Sequence, residues 1–226
     1  MHSPLRLVFF VALFSMLPAM LFAQADFSAD VVNNSGDASS GPAKIYVSKD
    51  KMRFEKQESS GHAGTVIINF VTQTTDILMP ERKMYIESAM GQGPGAPRTF
   101  NFFRAADAEN ACDEWKKLAN KPGGTCHKVG DEVVNGRSSV KYEGRSADGD
   151  VSYVWIDPKL GFPVKWQDKN SGGELRNIKE GTQSASLFSV PGDYQKLDMG
   201  NMRMPEGLLL IDVITGCLLY STYRPP

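Results

Sequence analysis

From Phe27 to Glu180 apolar and polar side chains alternate with a period of two over short runs, the pattern of strands with one face turned to a core. Phe27 to Val32, Lys44 to Ser48 and Met52 to Glu55 read as strands, separated by the turn-rich Asn33-Asn34-Ser35-Gly36 and by Lys49-Asp50. Gly64 to Val71 is a run of β-branched and apolar residues that predicts a strand buried on both faces. Asp76 to Met79 and Arg82 to Glu87 form a hairpin about Pro80-Glu81, and the Gly/Pro-rich stretch from Gly91 to Pro97 is a loop.

The period then changes. Ala108, Ala111, Cys112, Trp115 and Leu118 recur at helical spacing, which predicts one main helix over Ala105 to Asn120, capped by Asp107 and ending near Lys116 and Lys117. Strands resume at Cys126 to Val134 and Arg137 to Gly144 around Asn135-Gly136, a dipeptide suited to the left-handed conformations of a two-residue hairpin turn. Val151 to Asp157 follows the turn Ser146 to Asp150, and Pro163 to Lys169 pairs with Glu174 to Glu180 across Asn170 to Gly173. About ten strands in meander order, with no βαβ rhythm, predict a mainly β protein built on an antiparallel sheet.

The two ends differ from this body. Arg6, the apolar stretch Leu7 to Phe22 and the small-x-small Ala23-Gln24-Ala25 read as a signal peptide over residues 1–25, with cleavage before Asp26. Sixteen residues broken by Pro18 fall short of the about 20 needed for a membrane span. A periplasmic or secreted protein with no transmembrane segment in its mature form is expected, with one domain over 26–200. Residues 201–226 form an apolar C-terminal extension. Its run Leu208 to Leu219, interrupted by Asp212, is read equally as a last strand, a docked helix or a segment foreign to the domain.

Cysteine usage fits export. Cys112 and Cys126 flank a segment containing Pro122-Gly123-Gly124, which lets the chain fold back, and a disulfide closing a loop of that size is worth about 3 kcal/mol. The competing arrangement, a metal held by Cys112, Cys126 and His127, lacks a fourth ligand at suitable spacing, so no metal is expected. Cys217 is left over.

Composition narrows the chemistry. With 25 Lys+Arg against 26 Asp+Glu in 226 residues, no basic excess exists to neutralise phosphates, and no nucleic-acid partner is expected. Neither a nucleophile elbow, a metalloprotease helix nor a phosphate-binding loop occurs. His62 lies in a Gly-rich turn, and Asp148 and Asp150 flank Gly149 as hairpin-turn residues rather than calcium ligands. The expectation is a non-enzyme with no catalytic residues and no cofactor.

What the chain does offer is large apolar side chains on alternating strand positions: Ile45, Val47, Met52, Phe54, Ile68, Phe70, Met84, Ile86, Val140, Tyr142, Tyr153, Trp155, Val164 and Trp166. A single curved sheet either fills this face with its own helix and loops or leaves part of it as a groove for an apolar ligand. These fourteen are the candidate ligand-lining residues.

The segments Lys51-Met52-Arg53-Phe54-Glu55, Leu78-Met79-Pro80-Glu81-Arg82-Lys83-Met84-Tyr85, Trp155-Ile156-Asp157-Pro158, Gly161-Phe162-Pro163-Val164 and Phe188-Ser189-Val190-Pro191-Gly192-Asp193-Tyr194 resemble an uncharacterised family of exported bacterial domains related to the LolA/LolB-like lipoprotein carriers. The resemblance covers about residues 27 to 196. It implies a strongly bent antiparallel sheet, an unclosed barrel around short helical turns, whose hollow receives a lipid or lipoprotein acyl chain. It carries over no functional residue, since no position matches the carriers' ligand-gating arginine. The leading expectation is an acyl-binding carrier or sensor. The alternative is an envelope protein-interaction module with a self-filled core and no ligand.

Overall fold

The computed structural model describes residues 25–33, 42–57, 63–89, 105, 107–114, 124–169 and 171–197. Twelve strands form one sheet: β1 (Phe27–Asn33), β2 (Ala43–Val47), β3 (Lys51–Gln57), β4 (Ala63–Asn69), β5 (Thr74–Met79), β6 (Met84–Ala89), β7 (Thr125–Val134), β8 (Arg137–Arg145), β9 (Val151–Asp157), β10 (Phe162–Gln167), β11 (Gly172–Glu180) and β12 (Gln195–Lys196). Their order across the sheet is β12-β6-β5-β4-β3-β2-β1-β11-β10-β9-β8-β7. Two meanders, β1 to β6 and β7 to β11, therefore join at the β1–β11 pair. The sheet does not close into a barrel, and helices are few. All pairs are antiparallel except β12 on β6.

The turns follow from local chemistry. Asn135 and Gly136 both adopt positive φ, 49° and 79°, which is what a two-residue hairpin between right-twisted strands requires. Pro80–Arg82 form a 3-10 turn stopped by Lys83 in the left-handed region, so the β5–β6 connection is longer than a bare Pro-Glu hairpin. Ser146 to Asp150 close the β8–β9 hairpin: the Asp150 N–H donates to Ser146 Oγ at 3.1 Å, and Gly149 sits at φ 88°. Asp148 and Asp150 thus serve a turn.

The β4 segment is covered on both faces as its composition predicts, with Ile68 in one apolar cluster and Ile67 in another. It ends earlier than expected. Asn69 Oδ1 accepts the N–H groups of Val71 and Thr72 at 3.0 and 3.2 Å, turning the chain and leaving Val71 72% exposed.

Of the predicted helix, residues 111–114 are helical among the described residues. Asp107 caps the turn before them: its Oδ1 accepts the Glu109 N–H at 2.9 Å and its Oδ2 accepts from Asn110 at 2.7 Å. These bonds hold the Asp107 carboxyl below its ordinary range, the Asn110 side chain contributing most. Cys112 and Cys126 are joined in a disulfide, tying this segment to β7. No helix among the described residues is long and apolar enough to cross a membrane. Residues 1–24 of the signal peptide, His62, the Gly91–Pro97 loop, Trp115, Leu118, Cys217 and the C-terminal extension lie outside the described residues.

Candidate functional site

Among the described residues three apolar clusters form on this sheet. The largest joins both meanders: Phe27 and Ala29 from β1, Ala43, Ile45 and Val47 from β2, Met52 and Phe54 from β3, Ile68 from β4, Trp155 from β9, Phe162 and Val164 from β10 and Leu175 from β11, with Val134 and Leu160. Phe27 and Phe162 meet edge to face across the seam, ring centroids 5.3 Å apart. A second cluster packs Ala105, Ala108 and Ala111 on Val140, Tyr142 and Ile156, and the Tyr142 hydroxyl donates to the Ala108 carbonyl at 2.6 Å. Burial there raises the Tyr142 phenol above its ordinary value. The third lays Phe188, with Leu187, Val190 and Tyr194, on Ile67, Leu78, Tyr46 and Tyr85.

The fourteen candidates distribute accordingly. Ile45, Val47, Met52, Phe54, Ile68, Trp155 and Val164 are buried in the largest cluster, and Phe70, Tyr153 and Trp166 pack against it half-buried. Val140 and Tyr142 belong to the second cluster, under the 105–112 segment. Ile86 is buried on β6, and Met84 is half-buried beside it on the same strand. A single common face is therefore corrected by the register: Val140 pairs with Ile156 and Tyr142 with Val154, so on β9 they stand with the neighbours of Trp155, not with Trp155 itself.

Around Trp155 the largest cluster meets charge. Lys141 on β8 and Lys165 on β10 are its direct cross-strand partners. The Lys141 ammonium lies 4.9 Å from the Trp155 ring centroid and 5.2 Å from that of Tyr153, and the Lys165 ammonium lies 4.5 Å from the Trp155 centroid. The Trp155 indole N–H donates to Glu132 Oε2 at 2.6 Å, while Lys141 donates to Glu132 Oε1 at 2.8 Å. Both bonds hold the Glu132 carboxyl below its ordinary range, Lys141 first and Trp155 second. Trp155 is 3% exposed. A carboxylate and two ammoniums thus stand around the buried Trp155 at the edge of the largest apolar cluster.

Glu132, Lys141 and Lys165 do not stand out in the sequence. Lysine and glutamate on alternating strands read as solvated positions, and only the register brings these three to one indole. The available signal was Val164-Lys165-Trp166, a cation between two large apolar residues on one strand.

No protein-family model matches the chain, and no curated protein matches it. Among solved structures it is similar to an uncharacterized conserved protein from Thermus thermophilus, at 14% identity over 78% of this chain and 91% of that one, with a TM-score of 0.50. It is also similar to the Pseudomonas aeruginosa MucA/MucB complex structure, at 16% identity, 77% and 58% coverage and TM-score 0.46. LolA-superfamily proteins are among the similar structures. One is NE2245 from Nitrosomonas europaea, at 9% identity, 74% and 91% coverage and TM-score 0.33. At such identities the likeness concerns the fold.

Proposed function

We propose that this chain is an exported, non-catalytic protein that binds an acyl chain or similar apolar ligand against its bent sheet, as a carrier or sensor. The reading assigns residues 1–25 to a signal peptide and places the mature protein in the periplasm or outside the cell. The observation that carries it is the largest cluster: Ile, Val, Met, Phe and Trp side chains, drawn from both meanders of an unclosed sheet, packed together as one buried apolar body with Phe70, Tyr153 and Trp166 half-buried at its margin. Burying an acyl chain within such a cluster is worth about 0.8 kcal/mol per CH₂, so one chain is enough for stable binding without catalysis.

Native mass spectrometry of the protein purified from a bacterial periplasm without detergent tests this reading. Excess mass in stoichiometric amount that extracts into organic solvent as lipid supports it. A clean mass that stays unchanged on adding fatty acid or phospholipid overturns it.

A second reading, a protein-interaction module, is favoured by β7. In the described sheet this ten-residue strand is outermost and pairs with β8, and it exposes Val129 at 49% and Val133 at 73%. Such an edge accepts an added strand from a partner.

A further inference from the structure

Lys165 is half-buried beside the largest apolar cluster, and among the described residues it forms no ion pair within 4 Å. Its cross-strand partner on β11, Glu174, is taken by Arg176, whose Nε lies 2.6 Å from Glu174 Oε1. The nearby Glu132 is bound by Lys141 and by the Trp155 indole. The Lys165 ammonium therefore has the Trp155 ring as its close partner. Around this indole and its β11 neighbour three cations, Lys141, Lys165 and Arg176, face two carboxylates, Glu132 and Glu174, so positive charge is in excess by one. An ammonium with no carboxylate of its own in ion-pair contact gains a charge-assisted hydrogen bond when an anion arrives.

We propose that Lys165, with Lys141 on the other side of Trp155 in the sheet, anchors the anionic headgroup of the acyl ligand, a carboxylate or a phosphate. The proposal rests on the acyl-binding reading above and narrows it to anionic amphiphiles. The chain of such a ligand lies along the apolar cluster while its headgroup meets the ammonium at the edge of Trp155. Glu132 is the orienting group: by accepting from both Lys141 and the indole it keeps Lys141 partly occupied, so Lys165 makes the stronger contact with the incoming charge. Surface lysines that lie over tryptophan without any ligand are common, and the proposal differs from that case in demanding charge selectivity.

The test is isothermal titration of the purified, delipidated protein with palmitate, with palmitoyl lysophosphatidic acid and with the neutral monopalmitoylglycerol, at low salt and pH 8. The expected result is binding of the two anions at least tenfold tighter than of the neutral lipid. Lys165→Gln should weaken binding of the two anions at least tenfold and so remove that preference, and Lys165→Arg should keep it. Circular dichroism checks that each variant is folded. Tighter binding of palmitate than of the phosphate lipid identifies the headgroup as carboxylate, and the reverse order identifies phosphate. Equal affinity for anionic and neutral lipids, or equal weakening of all three by Lys165→Gln, overturns the anchor and leaves the acyl reading standing. Binding of none of the three overturns the acyl reading and the anchor with it.

Discussion

The two meanders use the same strand geometry to different ends. The β1–β6 half supplies the large cluster with aliphatic and phenyl side chains: Ala43, Ile45, Val47, Met52, Phe54 and Ile68. Its other face is closed by the strap around Phe188, which β12 fastens to β6. In the β7–β11 half the same cluster ends in Trp155, Tyr153 and Trp166, and Lys141, Lys165 and Glu132 stand around the Trp155 indole. Its other face is closed by the 105–112 segment, which a disulfide secures. One half thus contributes undirected apolar area, and the other contributes aromatic surface with fixed charge. In the proposed function, apolar area would set how strongly a chain is held, and charge and indole orientation would set which end of it lies where.

Damage at the seam should erase this distinction by weakening both halves together. Phe27 is fully buried and stacks edge to face on Phe162 of the other meander. Phe27→Ala is expected to cost about 3–5 kcal/mol, read as one cooperative shift in a denaturant titration. Separate transitions for the two halves would show that the seam does not couple them.

The next largest effect should stay on one side. Replacing both Cys112 and Cys126 by serine removes a cross-link worth about 3 kcal/mol in the chain-entropy model. Hydrogen exchange should quicken in β7 and β8 while β2 to β4 keep their protection until global unfolding.

A third change addresses the lock at one end of the seam. Arg137 at the start of β8 binds both the buried Asp157 of β9 and Glu180 of β11, and Lys159 also binds Glu180. These partners, Lys159 first, hold the Glu180 carboxyl below its ordinary range. Its contribution is therefore present above the unfolded value of 4.5 and is lost as pH falls through the lower folded value. Glu180→Gln should lower stability at pH 7 by about 1 kcal/mol and leave it nearly unchanged at pH 3.

An effect of similar size has the opposite sign and belongs to the β1–β6 half. Asp76 Oδ1 is buried without a hydrogen-bond partner, and burial, followed by Glu87 across the β5–β6 pair, pushes the carboxyl above its ordinary range. For a raised carboxyl the stabilising proton is present at low pH and lost as pH rises through the folded value, so ionised Asp76 costs stability at pH 7. Asp76→Asn supplies a donor toward Glu87 and should raise stability there by about 1 kcal/mol, visible as a higher midpoint in thermal unfolding.

Most strand positions were legible because period-2 alternation and the turn residues agree. Asn135-Gly136 is the clearest case, since both residues must take positive φ and both types tolerate it. What escaped depended on contacts distant in sequence. β12 is two residues long and owes its place to β6 and to the Lys196–Glu87 pair, which no local pattern announces. Val71 continues an apolar run but is exposed, because Asn69 bonds to its backbone and ends the strand. The apolar half of the candidate site could be read from alternation. Its charged half could not: a bulge between Pro163 and Lys165 shifts the register of β10 on β9, and that register sets Lys165 opposite Trp155.

The central claim is that an acyl chain lies against the cluster containing Trp155. A protein carrying Trp155 as its single tryptophan, made with Trp115→Phe and Trp166→Phe, would be titrated with 9,10-dibromostearate and with unbrominated stearate, following indole fluorescence. The account predicts saturable quenching by the brominated chain and none by stearate. Quenching no stronger than that of free tryptophan in the same solution would contradict it.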